Sequence, residues 1–504
     1  MTKRLSSGRG KVLFLLRNFL YLRNFEAPIR ELVARGFDVV VLADTTKTDS
    51  GDVDRQKLKL EQDLGDRIVF GIAGGRSDFR RAWTEELQSG RDVVRYVEPR
   101  FASARLAKPR AIRKAKPLAS FIYNRQRYGV PAINSAAQKR LERWLAAVPP
   151  DAGMVRRLTE IGPDVVVVSP MIDFHTTQSE WVRASRRLGI PSVLAVASWD
   201  NLTNKSTLHA MPDALIVWND TQKQEAVELH GVDPARVFVT GAQLYDHWFT
   251  RRPSTSYGEF CSRLGFDATE PTLLYVGSSV AIAADEHLFV GKWLAALRKL
   301  STDTLRRANV LVRPHPLNQE IFSGIDFSDL GPVAIHPRSG GFPVTEPAKA
   351  DYFDALFHAT ALVGLNTSAI VEATILGRPS FTIVTPETSA GQDGTFHFHY
   401  LTERGILHRS PGFDVHFNAL AETMSSGFGT ETAQSFVASF LRPNGVDVEA
   451  TPAFVDIVER MAYQAKPSAI LNVKRSTKSR LLDAPALLVF IVERTLKAVR
   501  SLIR

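Results

Sequence analysis

The chain has 504 residues, 44% of them hydrophobic and 23% charged, and its 63 Lys and Arg against 53 Asp and Glu give a net charge of +10. This composition excludes a disordered, collagen-like or fibrous chain, and the length exceeds what one hydrophobic core serves. A single cysteine, Cys261, excludes internal disulfides and a cysteine-rich zinc site, while the basic excess suits anionic partners: phosphates, nucleotides, nucleic acid or acidic lipid.

The first apolar run, Val12 to Leu16, is broken by Arg17 and lacks a cleavage pattern, and no stretch is long and apolar enough to span a membrane, so a cytoplasmic protein is expected. Lys11–Leu16 reads as a strand, Glu26–Arg35 as a helix stopped by Gly36, and Asp38–Leu42 as a second, parallel strand. The alternation resumes with strand Asp164–Val168, helix Gln178–Leu188, strands Ser192–Val196 and Ala214–Trp218, helix Thr221–His230 and strand Val237–Val239. Between the two parts, residues 76–148 form a different, helical segment. From Arg91 to Arg127 eleven Lys or Arg face two acids, which reads as a solvated helical insertion or as a docking surface for an anionic acceptor or lipid headgroups.

A second series follows a linker near 250–270. Its strands are Thr272–Val276, Asn309–Val312, Val333–Ile335, Ala361–Val363 and Ser380–Val384, and its helices Glu286–Leu300, Tyr352–Ala359 and Ser368–Leu376. The chain is thus expected to be α/β, with two facing Rossmann-like domains at 10–249 and 270–446, a closing helix within 447–473 and a basic amphipathic tail at 474–504. That tail holds eight basic residues against Asp483 and Glu493 around the apolar run Leu487–Val492, a pattern suited to an anionic inner-membrane surface.

Three strand ends in the second domain carry polar residues expected to meet at one cleft. Val276 is followed by Gly277, Ser278 and Ser279, which permit close approach. Arg313-Pro314-His315-Pro316 offers a cation and an imidazole in a stiff loop. Gly364-Leu-Asn366-Thr367-Ser368 opens a helix whose free N–H groups suit a phosphate, with Glu372 one turn on, placed to accept both hydroxyls of a ribose. Downstream, Ser389–Tyr400 reads as a Gly-rich loop that, if extended, puts His397 and His399 on one side, where a His could touch phosphate or acceptor. In the first domain, Asp173, His175 and Asp200 follow strands and are candidates to take a proton from an acceptor hydroxyl. Asn201 and Lys205 lie on the same loops, Lys205 suited to a phosphate or an acidic acceptor.

The motif order, Arg-Pro-His-Pro followed some fifty residues on by Asn-Thr-Ser-Ala-x-x-Glu-Ala-x-x-x-Gly-x-Pro, resembles the C-terminal half of GT-B-fold glycosyltransferases. Bacterial surface-polysaccharide transferases and the CDP-glycerol glycerophosphotransferase group are the nearest in kind. The resemblance implies a nucleotide-diphosphate donor held without metal or other cofactor: Glu372 on the ribose, Thr367 and Ser368 on the diphosphate, and Arg313 and His315 on the diphosphate or transferred group. It implies a glycan or lipid-linked acceptor and work at the inner membrane face. Where glycerophosphate transferases carry a paired-serine variant, this chain has Asn366-Thr367-Ser368, so a sugar nucleotide fits as well as CDP-glycerol. Two other readings remain: an enzyme like UDP-N-acetylglucosamine 2-epimerase, and a non-catalytic scaffold binding anionic polymer; no nucleic-acid partner is expected.

Overall fold

The computed structural model describes residues 8–46, 51–102, 104–126, 131–203, 205–339, 341–427, 429–464 and 484–489. The described residues form two compact units, one from those within 1–49, 57–244 and 449–504, the other from those within 50–56 and 245–448.

The first unit holds a parallel sheet of β1 (Gly10–Leu16), β2 (Phe37–Ala43), β3 (Ile68–Ile72), β4 (Val165–Ser169), β5 (Ser192–Ala195), β6 (Ala214–Val217) and β7 (Val237–Val239), in the order β3-β2-β1-β4-β5-β6-β7. Every residue of β2, β4, β5 and β6 is buried, as a sheet covered by helices on both faces requires. Leu13, Leu15, Val166, Val168 and Trp181 centre one core. The order reverses between β1 and β4, whose registers pair Val12 with Val165 through Leu16 with Ser169. Helix Ala450–Tyr463 returns to this unit, setting Phe454 against Phe25 and Glu459 on Arg35.

The second unit holds β8 (Thr272–Val276), β9 (Asn309–Arg313), β10 (Val333–Ile335), β11 (Ala361–Val363), β12 (Ser380–Ile383) and β13 (Leu407–Ser410), all parallel, in the order β10-β9-β8-β11-β12-β13. Its core gathers Leu273, Tyr275, Trp293, Val310, Val363 and Phe381. The reversal here falls between β8 and β11. In open α/β sheets ligands bind outside the carboxyl ends of strands at such reversals.

The expected pair of α/β sheets is present, with differences at the margins. β3 and β13 were not expected; β13 is an edge strand whose Leu-His-Arg-Ser sequence lacks an apolar run because only its ends are buried. The helix expected from Tyr352 begins earlier, as Glu346–His358, with Pro347 in its first turn. The insertion is helical: Ala107–Lys114, Pro117–Gln126 and Pro131–Ala147 pack on Arg81–Val94. Most of the 474–504 tail lies outside the described residues; within it residues 484–489 are helical. No helix among the described residues is long and apolar enough to cross a membrane.

Candidate functional site

In the second unit the three polar strand ends come together. The amide of Gly277 donates to the Arg313 carbonyl (2.9 Å), and a Cβ at Gly277 would lie 3.0 Å from the His315 nitrogen, so any other residue would press the two loops apart. A Cβ at Gly364 would sit 3.0 Å from the Val276 carbonyl oxygen. The Asn366 amide donates to Ser278 Oγ (3.3 Å), which joins the β8 and β11 ends. Asn318 braces the β8 loop from the β9 side, its Nδ2 donating to the carbonyls of Ser278 and Ala283 (3.3 and 3.0 Å).

Beneath this rim lies Glu286, first residue of helix Glu286–Leu297 and 1% exposed. It accepts from the Ser278 amide (2.6 Å) and from Tyr275 Oη (3.1 Å). Burial pushes its carboxyl up to about 7, with the Ser278 and Tyr275 bonds pulling the other way. The sequence marks it only as the first residue of a helix.

Glu372, half-buried in helix Ala369–Ile375, accepts a hydrogen bond from Tyr352 Oη. The Tyr352 ring lies under the Arg313 guanidinium (5.1 Å), and Arg313 pairs with Asp351 (2.8 Å). Arg313 is therefore buried and committed to a carboxylate and a ring, and links the β9 end to Glu372 instead of presenting a bare cation. Although burial opposes it, His336 and Arg313 hold the Asp351 carboxyl well below the usual range. His315 is half-buried two residues beyond Arg313. Its Nδ1 accepts from the Leu317 amide (3.1 Å), which leaves the proton of the neutral ring on Nε2.

Asn366, Thr367 and Ser368, expected together at the opening of a helix, behave differently. Ser368 occupies the cap position, but its side chain does not cap the helix, and it is exposed; Thr367 Oγ1 accepts from the Ala369 amide at 3.4 Å. Asn366 turns inward, its Nδ2 donating to the Gly391 carbonyl (2.7 Å), with His397 Nε2 3.4 Å away. It thereby ties down the 389–397 loop. Gln392, fully buried, does the same through the Leu365 and Ile383 carbonyls (3.1 Å each).

The extended reading of that loop is corrected. It folds as short helical turns, Ser389–Gly391 and Phe398–Thr402, so a two-residue alternation does not apply. His397 is buried beside Asn366, whereas His399 is partly exposed next to Glu403 (3.9 Å). Among the described residues no group of three or more His, Cys, Asp or Glu could hold a metal ion.

The first unit's strand ends form a second cluster. Asp173, after β4, pairs with Lys205 Nζ (3.0 Å), after β5, and lies 3.9 Å from Arg17 Nε, after β1. Burial works against the Lys205 ammonium, but Tyr21, Asp173 and Asp200 outweigh it, and its pKa stands above the ordinary value. Asp44, after β2, accepts from Arg17, Thr176 and Thr177 (3.4, 2.9 and 2.5 Å). His175 is exposed, at φ +57°, and Arg17 holds its carbonyl (3.2 Å). Asp200 Oδ1 accepts from Ser198 Oγ. Asn201, expected at an acceptor, is a buried brace: Oδ1 accepts from the Ala197 amide (3.1 Å) and Nδ2 donates to the Pro170 carbonyl (3.3 Å). The insertion holds the Lys205 loop, with Arg95 on the Ser206 carbonyl (2.6 Å), Tyr96 on the Lys205 carbonyl (3.1 Å) and Asp92 on Ser206 Oγ (2.7 Å). Arg17, Tyr21 and Asp44 were missed, although each follows a strand; Asp351 and Tyr352 gave no signal, since helix residues become partners only through the fold.

No protein family matches the sequence, and no curated protein does. Solved structures do resemble the fold. UDP-GlcNAc 2-epimerase from Neisseria meningitidis, bound to UDP-GlcNAc, is 10% identical over 89% of this chain and 100% of its own, with a TM-score of 0.50. The Methanocaldococcus jannaschii enzyme of that name, in complex with UDP-GlcNAc and UDP, is 11% identical over 89% and 99%, also at 0.50. A glycosyltransferase from Rickettsia africae is 8% identical over 91% and 100%, at 0.48. The chain has a GT-B-like α/β fold.

Proposed function

We propose that the protein is a transferase that moves a glycosyl, or glycerophosphate-like, group from a nucleotide-diphosphate donor to a cell-surface glycan or lipid-linked acceptor at the inner membrane face. One observation carries this: in the second unit, strand ends on both sides of the sheet's reversal meet, Gly277 against the His315 backbone and the Asn366 amide on Ser278 Oγ. Ser279, His315, Thr367, Ser368 and Glu372 remain partly exposed around them.

In this reading Glu372, oriented by Tyr352, accepts the ribose hydroxyls. Ser279, Thr367 and Ser368 receive the diphosphate, and the Nε2 proton of His315 offsets charge developing on the departing nucleotide. Arg313 is a positioning residue, acting through Tyr352. In the first unit, Asp173, held by Lys205, or Asp200, held by Ser198, takes the acceptor proton.

The test is a thermal-shift panel of CDP-, UDP-, GDP- and CMP-linked compounds, followed by calorimetry. Glu372→Ala is expected to weaken the best nucleotide by about tenfold or more. Unchanged affinity would remove the ribose role.

The fold likeness to two UDP-GlcNAc 2-epimerases favours a second reading, a sugar-nucleotide enzyme needing no acceptor. Turnover of a free sugar nucleotide by the protein alone would decide for it.

A further inference from the structure

The helical insertion carries a surface that the nucleotide reading leaves unused. From Pro99 to Leu141 the chain has eleven Lys or Arg and no Asp or Glu. Helix Ala107–Lys114 buries Ala107 and Ala111, and helix Pro117–Gln126 buries Ala119 and Tyr123. Each pair is four residues apart and so lies on one face, and both helices pack on Arg81–Val94. Away from those faces, Arg105, Arg113 and Lys114 are exposed and Lys108 partly so, with Ile112 at 38% and Phe121 at 54% exposure. Single exposed apolar side chains are ordinary. Two of this size nine residues apart, in a span without one acid, combine the two elements of a peripheral membrane contact.

We propose that the outer faces of these two helices dock on an anionic phospholipid bilayer, the cations against headgroup phosphates and Ile112 and Phe121 in the acyl boundary. An anionic polymer would engage the cations equally but gain little from the apolar pair. The surface adjoins the first unit's strand-end cluster, because the His175 ring hydrogen-bonds the Lys114 backbone and lies near Lys116. A docked protein would therefore hold that cluster close to the bilayer.

The experiment is co-sedimentation of the full-length protein with phosphatidylglycerol-rich vesicles. Lys108→Glu, Arg113→Glu and Lys114→Glu together are expected to lower partitioning by roughly a hundredfold, and Ile112→Ser with Phe121→Ser by roughly tenfold with every charge kept. All five side chains are at least partly exposed, so melting temperatures should stay near wild type. The 474–504 tail is common to all variants. Unchanged partitioning of the charge-reversed protein overturns the proposal. So does full vesicle binding by the Ile112/Phe121 variant together with polyphosphate binding that charge reversal abolishes, which would make the surface an anionic-polymer site.

Discussion

At the carboxyl edge of the seven-stranded sheet Arg17, Asp44, Asp173 and Lys205 set charge against charge, whereas at the matching edge of the six-stranded sheet Gly277, Ser278, Asn318, Asn366 and Gln392 set backbone against amide and hydroxyl. The two edges share a topology, each built around a reversal of strand order. Their chemistry separates them. An edge closed by glycine contacts keeps its ion pair, Arg313 with Asp351, buried and leaves Ser279, His315, Thr367, Ser368 and Glu372 partly exposed. A charge-paired edge holds the Asp173 and Asp200 carboxylates near the Lys205 ammonium, so two possible proton acceptors and a cation stand on the same loops. The proposed function places donor binding and proton removal in different units.

The comparison breaks most readily at Glu286, the buried acid beneath the glycine-closed edge whose carboxyl is raised. Its carboxyl is raised from an ordinary 4.5 to about 7, so its contribution to stability is complete below the unfolded value and is lost as pH rises through 7. Urea unfolding of the wild type should show the second unit losing about 3 kcal/mol between pH 5 and pH 8. Glu286→Gln should flatten that dependence, and a pH-dependent loss that persists in the variant would place its source elsewhere.

Asn366→Ala comes next. It leaves the buried Gly391 carbonyl without its donor and should cost about 2 kcal/mol, read from thermal unfolding. Nucleotide affinity should fall with it, since the 389–397 loop is released. Lys205→Met has the smallest expected effect on stability, within about 1 kcal/mol, because its pair with Asp173 is partly solvated. It sharpens the comparison most, since nucleotide affinity should be unchanged while transfer is lost. Weakened nucleotide binding in this variant would erase the division between the two edges.

The sheets were legible because parallel strands buried on both faces read as apolar runs, as in Asp164–Val168 and Thr272–Val276. The motif positions were legible because small and polar residues interrupt those runs where strands end. Partnerships were not. Nothing in the spacing says that Tyr352, on a helix before β11, donates to Glu372 on the helix after it, or that Asp351 occupies Arg313. Alternation misplaced His397 and His399 because the chain there turns helically, and Asn366, expected at a phosphate-facing helix start, serves as a tether.

Hydrogen exchange of the full chain with and without the best-bound nucleoside diphosphate tests the central claim most directly. The account predicts slowed exchange in the 277–283, 313–318 and 364–372 segments of the second unit. Protection confined to the loops after β1, β4 and β5, or none at all under saturating ligand, would contradict it.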